Sequence, residues 1–186
     1  MSPAFSIEPP QAIIAGWRET AFPVRRIYCV GRNYADHARE MGASGREPPF
    51  FFAKPADAVV PVAPGAEGRI AYPPRTTNLN HEVELVVAIG LAGAAIPADQ
   101  ALRHVFGYAV GLDLTRRDIQ TELKKKGHPW EMGKAFDQSA PLGPIHPVAD
   151  CGHPARGVIR LAVNGVECQR GDLSQMIWSA PEVIAE

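Results

Sequence analysis

The segment His81-Glu82-Val83-Glu84-Leu85 sets two carboxylates two residues apart between branched apolar neighbours. In an extended strand, residues i and i+2 point the same way, so Glu82 and Glu84 share a face while Val83 and Leu85 turn to the other. Two adjacent carboxylates on an otherwise apolar strand repel, and burying them is costly unless they share a cation. For this pair alone, a solvated strand face is the simpler alternative. Asp113 closes the apolar run from Gly107 to Leu112 and offers a third oxygen donor, although an acid at this point also suits a turn or a helix cap. Three carboxylates prefer a hard cation, Mg2+ or Mn2+, over zinc. An octahedral ion held by three protein oxygens keeps positions open for a bidentate substrate and a water.

Three carboxylates outweigh one divalent ion by a single charge, so one lysine would restore neutrality. Lys134, among the apolar neighbours of Gly133-Lys134-Ala135-Phe136, is a candidate, with a surface lysine as its plain alternative. His37 and Glu40 are spaced to lie on one face of a short helix. A carboxylate touching an imidazole raises its basicity and fixes its tautomer, and such a pair can take a proton from water. An exposed helix pair would read the same way. Lys124-Lys125-Lys126 falls where a helix should end, and its plain meaning is charge favourable to the helix dipole on a solvated face.

The elements that must position these groups are mostly strands and turns. Ile27–Val30, Phe50–Ala53, Val83–Ile89 and Val105–Leu114 read as strands. Residues 35–41 suit a short helix stopped at Gly42, and 97–104 suit another. Thr115 is placed to cap a helix over Arg116–Lys126. Val158–Val163, Asn164-Gly165 and Val166–Gln169 form a hairpin pattern. Ser174–Ala185 reads as a helix broken at Pro181. Residues 54–80, with five prolines, should be loops and edge strands.

Of 186 residues, 17 are Gly and 18 are Pro, which suits many turns and short strands. The formal charge of −1 argues against nucleic-acid or polybasic membrane binding by bulk charge. No apolar run is long enough to span a bilayer, and the N-terminus has no secretory pattern, so a cytoplasmic protein is expected. Cys29, Cys151 and Cys168 are widely spaced and lack a CxxC pair, as expected of reduced thiols. No GxGxxG, P-loop, GxSxG or HExxH motif occurs.

Six stretches carry a wider likeness: YCVGRNYADHAREMG (28–42), PFFFAKPADAVV (49–60), NLNHEVELVVAIG (78–90), GYAVGLDLTRRDIQ (107–120), KKKGHPWEMGKAFDQSAPLGP (124–144) and VNGVECQRGDLSQMIWSAPEVIA (163–185). In that order they cover nearly all of residues 26–186, and the chain resembles the fumarylacetoacetate hydrolase family. The resemblance implies that Glu82, Glu84 and Asp113 hold Mg2+ or Mn2+, and that His37 and Glu40 form a catalytic dyad on a lid helix. It implies that Lys134 is the active-site lysine, that Gln120 orients water or substrate, and that Arg32 and Arg117 lie near the substrate.

The implied fold is α+β and β-rich, a fumarylacetoacetate hydrolase-type mixed β-sandwich roll with its C-terminal part missing. Residues 1–24 would be an N-terminal arm and 25–186 the catalytic domain, assembled as a homodimer. The wording is closest to the branch that cleaves 3-fumarylpyruvate to fumarate and pyruvate in gentisate breakdown. The implied substrate is a small acylpyruvate. Oxaloacetate decarboxylation or tautomerisation on the same ligands, and an inactive truncated fragment, are the alternatives.

Overall fold

The computed structural model describes residues 4–34 and 46–186. In chain order, β1 (Gln11–Ile13) and β2 (Ala21–Pro23) form an antiparallel hairpin. β3 (Ile27–Gly31) pairs antiparallel with β4 (Phe50–Lys54). A 3-10 turn over Ala56–Ala58 leads into β5 (Val59–Pro61), and β6 (Leu79–Asn80) and β7 (Val83–Ile89) follow. α1 (Ala98–Ala101) passes through a second 3-10 turn into β8 (Val105–Leu112). β9 (Thr115–Arg116) precedes α2 (Arg117–Lys125) and α3 (Glu131–Lys134). Then come β10 (Ala140–Leu142), β11 (His146–Pro147), α4 (Val148–Cys151), the hairpin β12 (Val158–Val163) and β13 (Val166–Asp172), and α5 (Ala180–Ala185).

β8 is the axis of the main sheet. β7 runs antiparallel along one edge, from Val83 opposite Leu112 to Ile89 opposite Val105. β10 and β11 take the other edge, and β10 continues in parallel to β5. The sheets stay open, giving a mixed, β-rich α+β fold.

Two apolar clusters flank this sheet. One packs Ala12, Ala88, Ala109, Leu142 and Ile145 together, with Phe22, Val24 and Phe106 around them. The N-terminal hairpin therefore contributes to the core through Ala12, and Ile14 bridges to Ile145. The second cluster seats the β12–β13 hairpin on β7 and β8, through Ile159 and Leu173 against Val83. Asn164 and Gly165, at φ 51° and 82°, make the tight turn of that hairpin, which requires positive φ at both positions.

Two local expectations change. Thr115 belongs to β9 and does not cap α2, whose cap position is Arg116. Its hydroxyl instead turns toward Glu82. Pro181 does not break a helix but stands in the first turn of α5, where a missing N–H costs no hydrogen bond. The stretch from Ser174 is therefore not continuous helix: Leu173–Gln175 is a separate 3-10 turn.

Candidate metal centre and active site

The β7–β8 register assembles three distant acids. Glu82 immediately precedes β7, Glu84 lies within it, and Asp113 immediately follows β8. The Asp113 N–H donates to the Glu82 carbonyl at 2.8 Å, tying the two backbones where the strands meet. Directly opposed residues of an antiparallel pair share a face, so the side chain of Asp113 emerges beside those of Glu82 and Glu84. Carboxylate oxygens of all three lie within 4.8 Å of one another.

Cations close around this cluster. Lys134 Nζ donates to Glu82 Oε2 at 3.0 Å and to Asp113 Oδ2 at 2.5 Å. Lys54 Nζ stands 2.8 Å from Asp113 Oδ1, donates to the Leu114 carbonyl at 3.1 Å, and also donates to the Lys134 carbonyl. Arg117 pairs with Glu82 Oε1 through Nη2, and its Nη1 donates to Gln120 Oε1 at 2.7 Å. Thr115 Oγ1 reaches Glu82 Oε1 at 3.2 Å. Lys54, Lys134 and Asp113 are only 3%, 2% and 4% exposed, so these charges are balanced by one another rather than by water.

Helix packing sets the last two partners. A Cβ on Gly133 would lie 3.0 Å from Gln120 Cβ and 3.1 Å from the Gln120 backbone. Its absence lets α3 press against α2, which brings Lys134 to the acids beside Arg117 and Gln120. Phe52 on β4 covers Lys134, with Nζ 4.9 Å from the ring centre.

The donor set suits a hard cation. Asp113 Oδ1 is buried without a well-directed hydrogen bond, and Glu84 has no ion pair among the described residues. Burial, then the charges of Asp113 and Glu82, push the Glu84 carboxyl up to about 8. Glu82 differs: burial alone would raise it, but Lys134 and Arg117 outweigh burial and hold it below the ordinary carboxylate value. A divalent ion would relieve the repulsion felt by Glu84, and Glu82, Glu84 and Asp113 are the residues that would hold it.

A pH dependence follows. The ordinary value for Glu84 is 4.5, against about 8 in the folded metal-free protein. Between those limits the folded state retains a proton that the unfolded chain has lost. The Glu84 contribution to metal-free stability is therefore full below pH 4.5, declines as pH rises, and is gone above about 8. Metal must displace that proton, so Mn2+ affinity should rise with pH toward 8, with about one proton released per ion at pH 7. Titration calorimetry in buffers of different ionisation enthalpy measures the release. Binding at pH 7 without proton release would contradict the assignment.

Of the residues singled out in the sequence, Glu82, Glu84, Asp113, Lys134, Arg117 and Gln120 come together. Arg32, at φ 56°, makes no ion pair to the three acids among the described residues; its guanidinium lies 5.6 Å from the Phe50 ring centre. His37 and Glu40 lie outside the described residues. Lys54 and Thr115 are site residues that the sequence reading missed. The one signal for Lys54 was a lone lysine closing the apolar run Phe50–Ala53. The expected single lysine is thus joined by a second lysine and an arginine. Cys29 sits close by, but burial, then Asp113 and Glu84, push its thiol up to about 12, so it stays protonated. All three cysteines are free.

An open, β-rich fold that gathers three acids and a buried lysine at a strand junction describes a class of divalent-metal enzymes. The model of the fumarylacetoacetate (FAA) hydrolase C-terminal domain matches residues 26–186, and the chain belongs to the fumarylacetoacetate hydrolase family. The structure of fumarylpyruvate hydrolase from Pseudomonas aeruginosa in complex with Mn2+ and pyruvate superposes with a TM-score of 0.95 at 55% identity, covering 99% of this chain and 79% of that one. Human mitochondrial oxaloacetate tautomerase FAHD1 is 43% identical over 162 residues, 87% of this chain and 71% of that protein. Oxaloacetate tautomerase YcgM of Escherichia coli K12 is 39% identical over 165 residues, 88% and 74% of the two chains. Among the described residues, no helix is long and apolar enough to cross a membrane.

Proposed function

We propose that this chain hydrolyses a carbon–carbon bond of an acylpyruvate in a divalent-metal-dependent reaction, with 3-fumarylpyruvate, an intermediate of gentisate breakdown, as substrate and fumarate and pyruvate as products. The observation that carries the reading is the convergence of Glu82, Glu84 and Asp113, with Lys134 bridging two of them. The 55% identity to an enzyme whose structure holds Mn2+ and pyruvate supports the choice of substrate.

Mg2+ or Mn2+, held by the three acids, would supply Lewis acidity for the negative charge that builds on the pyruvoyl oxygens. Lys54, Lys134 and Arg117 balance the three carboxylates, so the loaded site carries net positive charge and favours a dianionic substrate. Lys134, fixed by Glu82 and Asp113, presents its ammonium where charge develops, and no reorganisation is needed at the moment of reaction. Gln120 accepts from Arg117 through Oε1, and its amide N–H2, which has no hydrogen bond among the described residues, would orient water or a substrate oxygen. In this reading His37 is the base that takes a proton from water, with Glu40 as its partner in the expected dyad. The hydroxide bonds to the acyl carbonyl carbon, the bond from that carbon to the pyruvoyl methylene breaks, and its electron pair leaves as the enolate of pyruvate, which protonates to pyruvate.

A second reading keeps the site and changes the reaction: two of the relatives, at 43% and 39% identity, are oxaloacetate tautomerases. Enolisation needs no attack by water on carbon. Assays of 3-fumarylpyruvate and oxaloacetate under one Mn2+ concentration separate the two. We expect hydrolysis to dominate, with His37→Ala slowing it by about 10²–10⁴ while Mn2+ affinity is retained. Faster oxaloacetate turnover overturns the hydrolytic reading, and full hydrolysis by H37A overturns the role of His37.

A further inference from the structure

We infer that Gln169 is a positioning residue of the metal centre: its side-chain amide clamps the backbone between Glu82 and Glu84 and sets the angle at which both carboxylates meet the ion. The inference rests on the metal-dependent reading above. Gln169 Oε1 accepts from the Val83 N–H at 2.7 Å, and Gln169 Nε2 donates to the Val83 carbonyl at 3.0 Å. The amide thus stands in for a neighbouring strand at the edge of β7 turned away from β8. The peptide joining Glu82 to Val83 is held at both ends, its carbonyl by the Asp113 N–H at 2.8 Å and its N–H by Gln169. The next peptide, which leads into Glu84, is held at its carbonyl by the same amide. Every backbone group of Val83 is therefore pinned by one side chain from a different sheet.

The hairpin is shaped to deliver that side chain. Along β12–β13 the register passes from Leu161 opposite Gln169 to Ala162 opposite Glu167, so Cys168 is the additional residue of a bulge. Glu167 is exposed while Gln169 is half-buried, although their spacing would place them on one face of a regular strand. The bulge re-aims the chain so that Gln169 meets β7. Apolar seating of the hairpin is already provided by Ile159 and Leu173 against Val83. A hydrophobic residue at 169 would preserve that seating and leave the Val83 N–H and carbonyl without partners. Groups that orient metal ligands in this way typically change metal affinity about 10–100-fold when removed.

The test uses the whole chain. Mn2+ affinity is read from the electron paramagnetic resonance of the free ion, and exchange of the Val83 amide is read in the metal-free protein. Gln169→Met should bind Mn2+ at least about tenfold more weakly and exchange the Val83 amide faster. Ile159→Val, which loosens the apolar seat alone, should lower the thermal midpoint and leave Mn2+ affinity unchanged. If Q169M does not fold, Gln169→Asn decides, since it keeps the amide but is one methylene too short to span both groups; the same weakening is expected. Wild-type affinity in the folded variant, or equal weakening by I159V, overturns the role of Gln169. Failure of the wild-type protein to bind Mn2+ overturns the metal reading and this inference with it, and is distinguished by being seen before any variant is made.

Discussion

Asp113→Ala should abolish Mn2+ binding, lower turnover by about three orders of magnitude, and destabilise the protein. The first two effects share a cause. Asp113 is the only one of the three acids supplied by the β8 side, so Glu82 and Glu84 alone offer oxygens from one strand. Losing the ion forfeits several kcal/mol of charge stabilisation in the transition state, and each 1.36 kcal/mol is about tenfold in rate. The third effect is separate. Asp113 pairs with both Lys54 and Lys134, which would then face each other, nearly fully buried, without the carboxylate between them. Breaking a buried pair of this kind typically costs about 3–5 kcal/mol. Calorimetric Mn2+ titration checks the first effect, and a metal-free urea melt checks the third. Retained Mn2+ affinity would show that Asp113 is no ligand. An unchanged melt would show that its pairing with the lysines is energetically idle.

Lys54→Met should be the most damaging substitution that touches neither the expected ion nor the substrate, with about 3–5 kcal/mol of stability lost from a total of about 5–15. The Lys54 ammonium is enclosed by three oxygens: a carboxylate oxygen of Asp113 and the carbonyls of Leu114 and Lys134. Burial pulls its pKa down and Asp113 opposes that pull. A thioether fills the space but satisfies none of the three acceptors, and the backbone at Lys134 loses the bond that anchors it. Lys54→Arg should not rescue the loss, because a planar guanidinium does not fit a cage built for a compact ammonium. Chemical denaturation of K54M and K54R against the wild type decides. A K54M midpoint equal to that of the wild type would show that Lys54 occupies the cage without supporting it.

Both effects depend on residues that the sequence revealed to different degrees. The β-former run Val83–Ile89, the alternation of Glu82 and Glu84 with Val83 and Leu85, and the apolar run into Asp113 marked two strands and three acids in or beside them, because strand periodicity is local and repeats every two residues. The Asn164-Gly165 turn was legible for the same reason: only a few residues tolerate positive φ, and two of them stood together. Helix limits were less legible. Thr115 has the chemistry of a cap, but pairing of β9 with β6 holds it in a strand and turns its hydroxyl to Glu82.

The sequence by itself determined which side chains were available: three acids in strand context, a lysine among apolar neighbours, and a set of motifs that placed the chain in its family. Only the tertiary structure decided how those charges are balanced. Lys54 reaches Asp113 across 59 positions of sequence, and Gln169 reaches Val83 across 86, through pairings between separate sheets. No local periodicity encodes such contacts. They arise because burying an ammonium or leaving a peptide group unpaired is so costly that the fold must bring a distant partner to each.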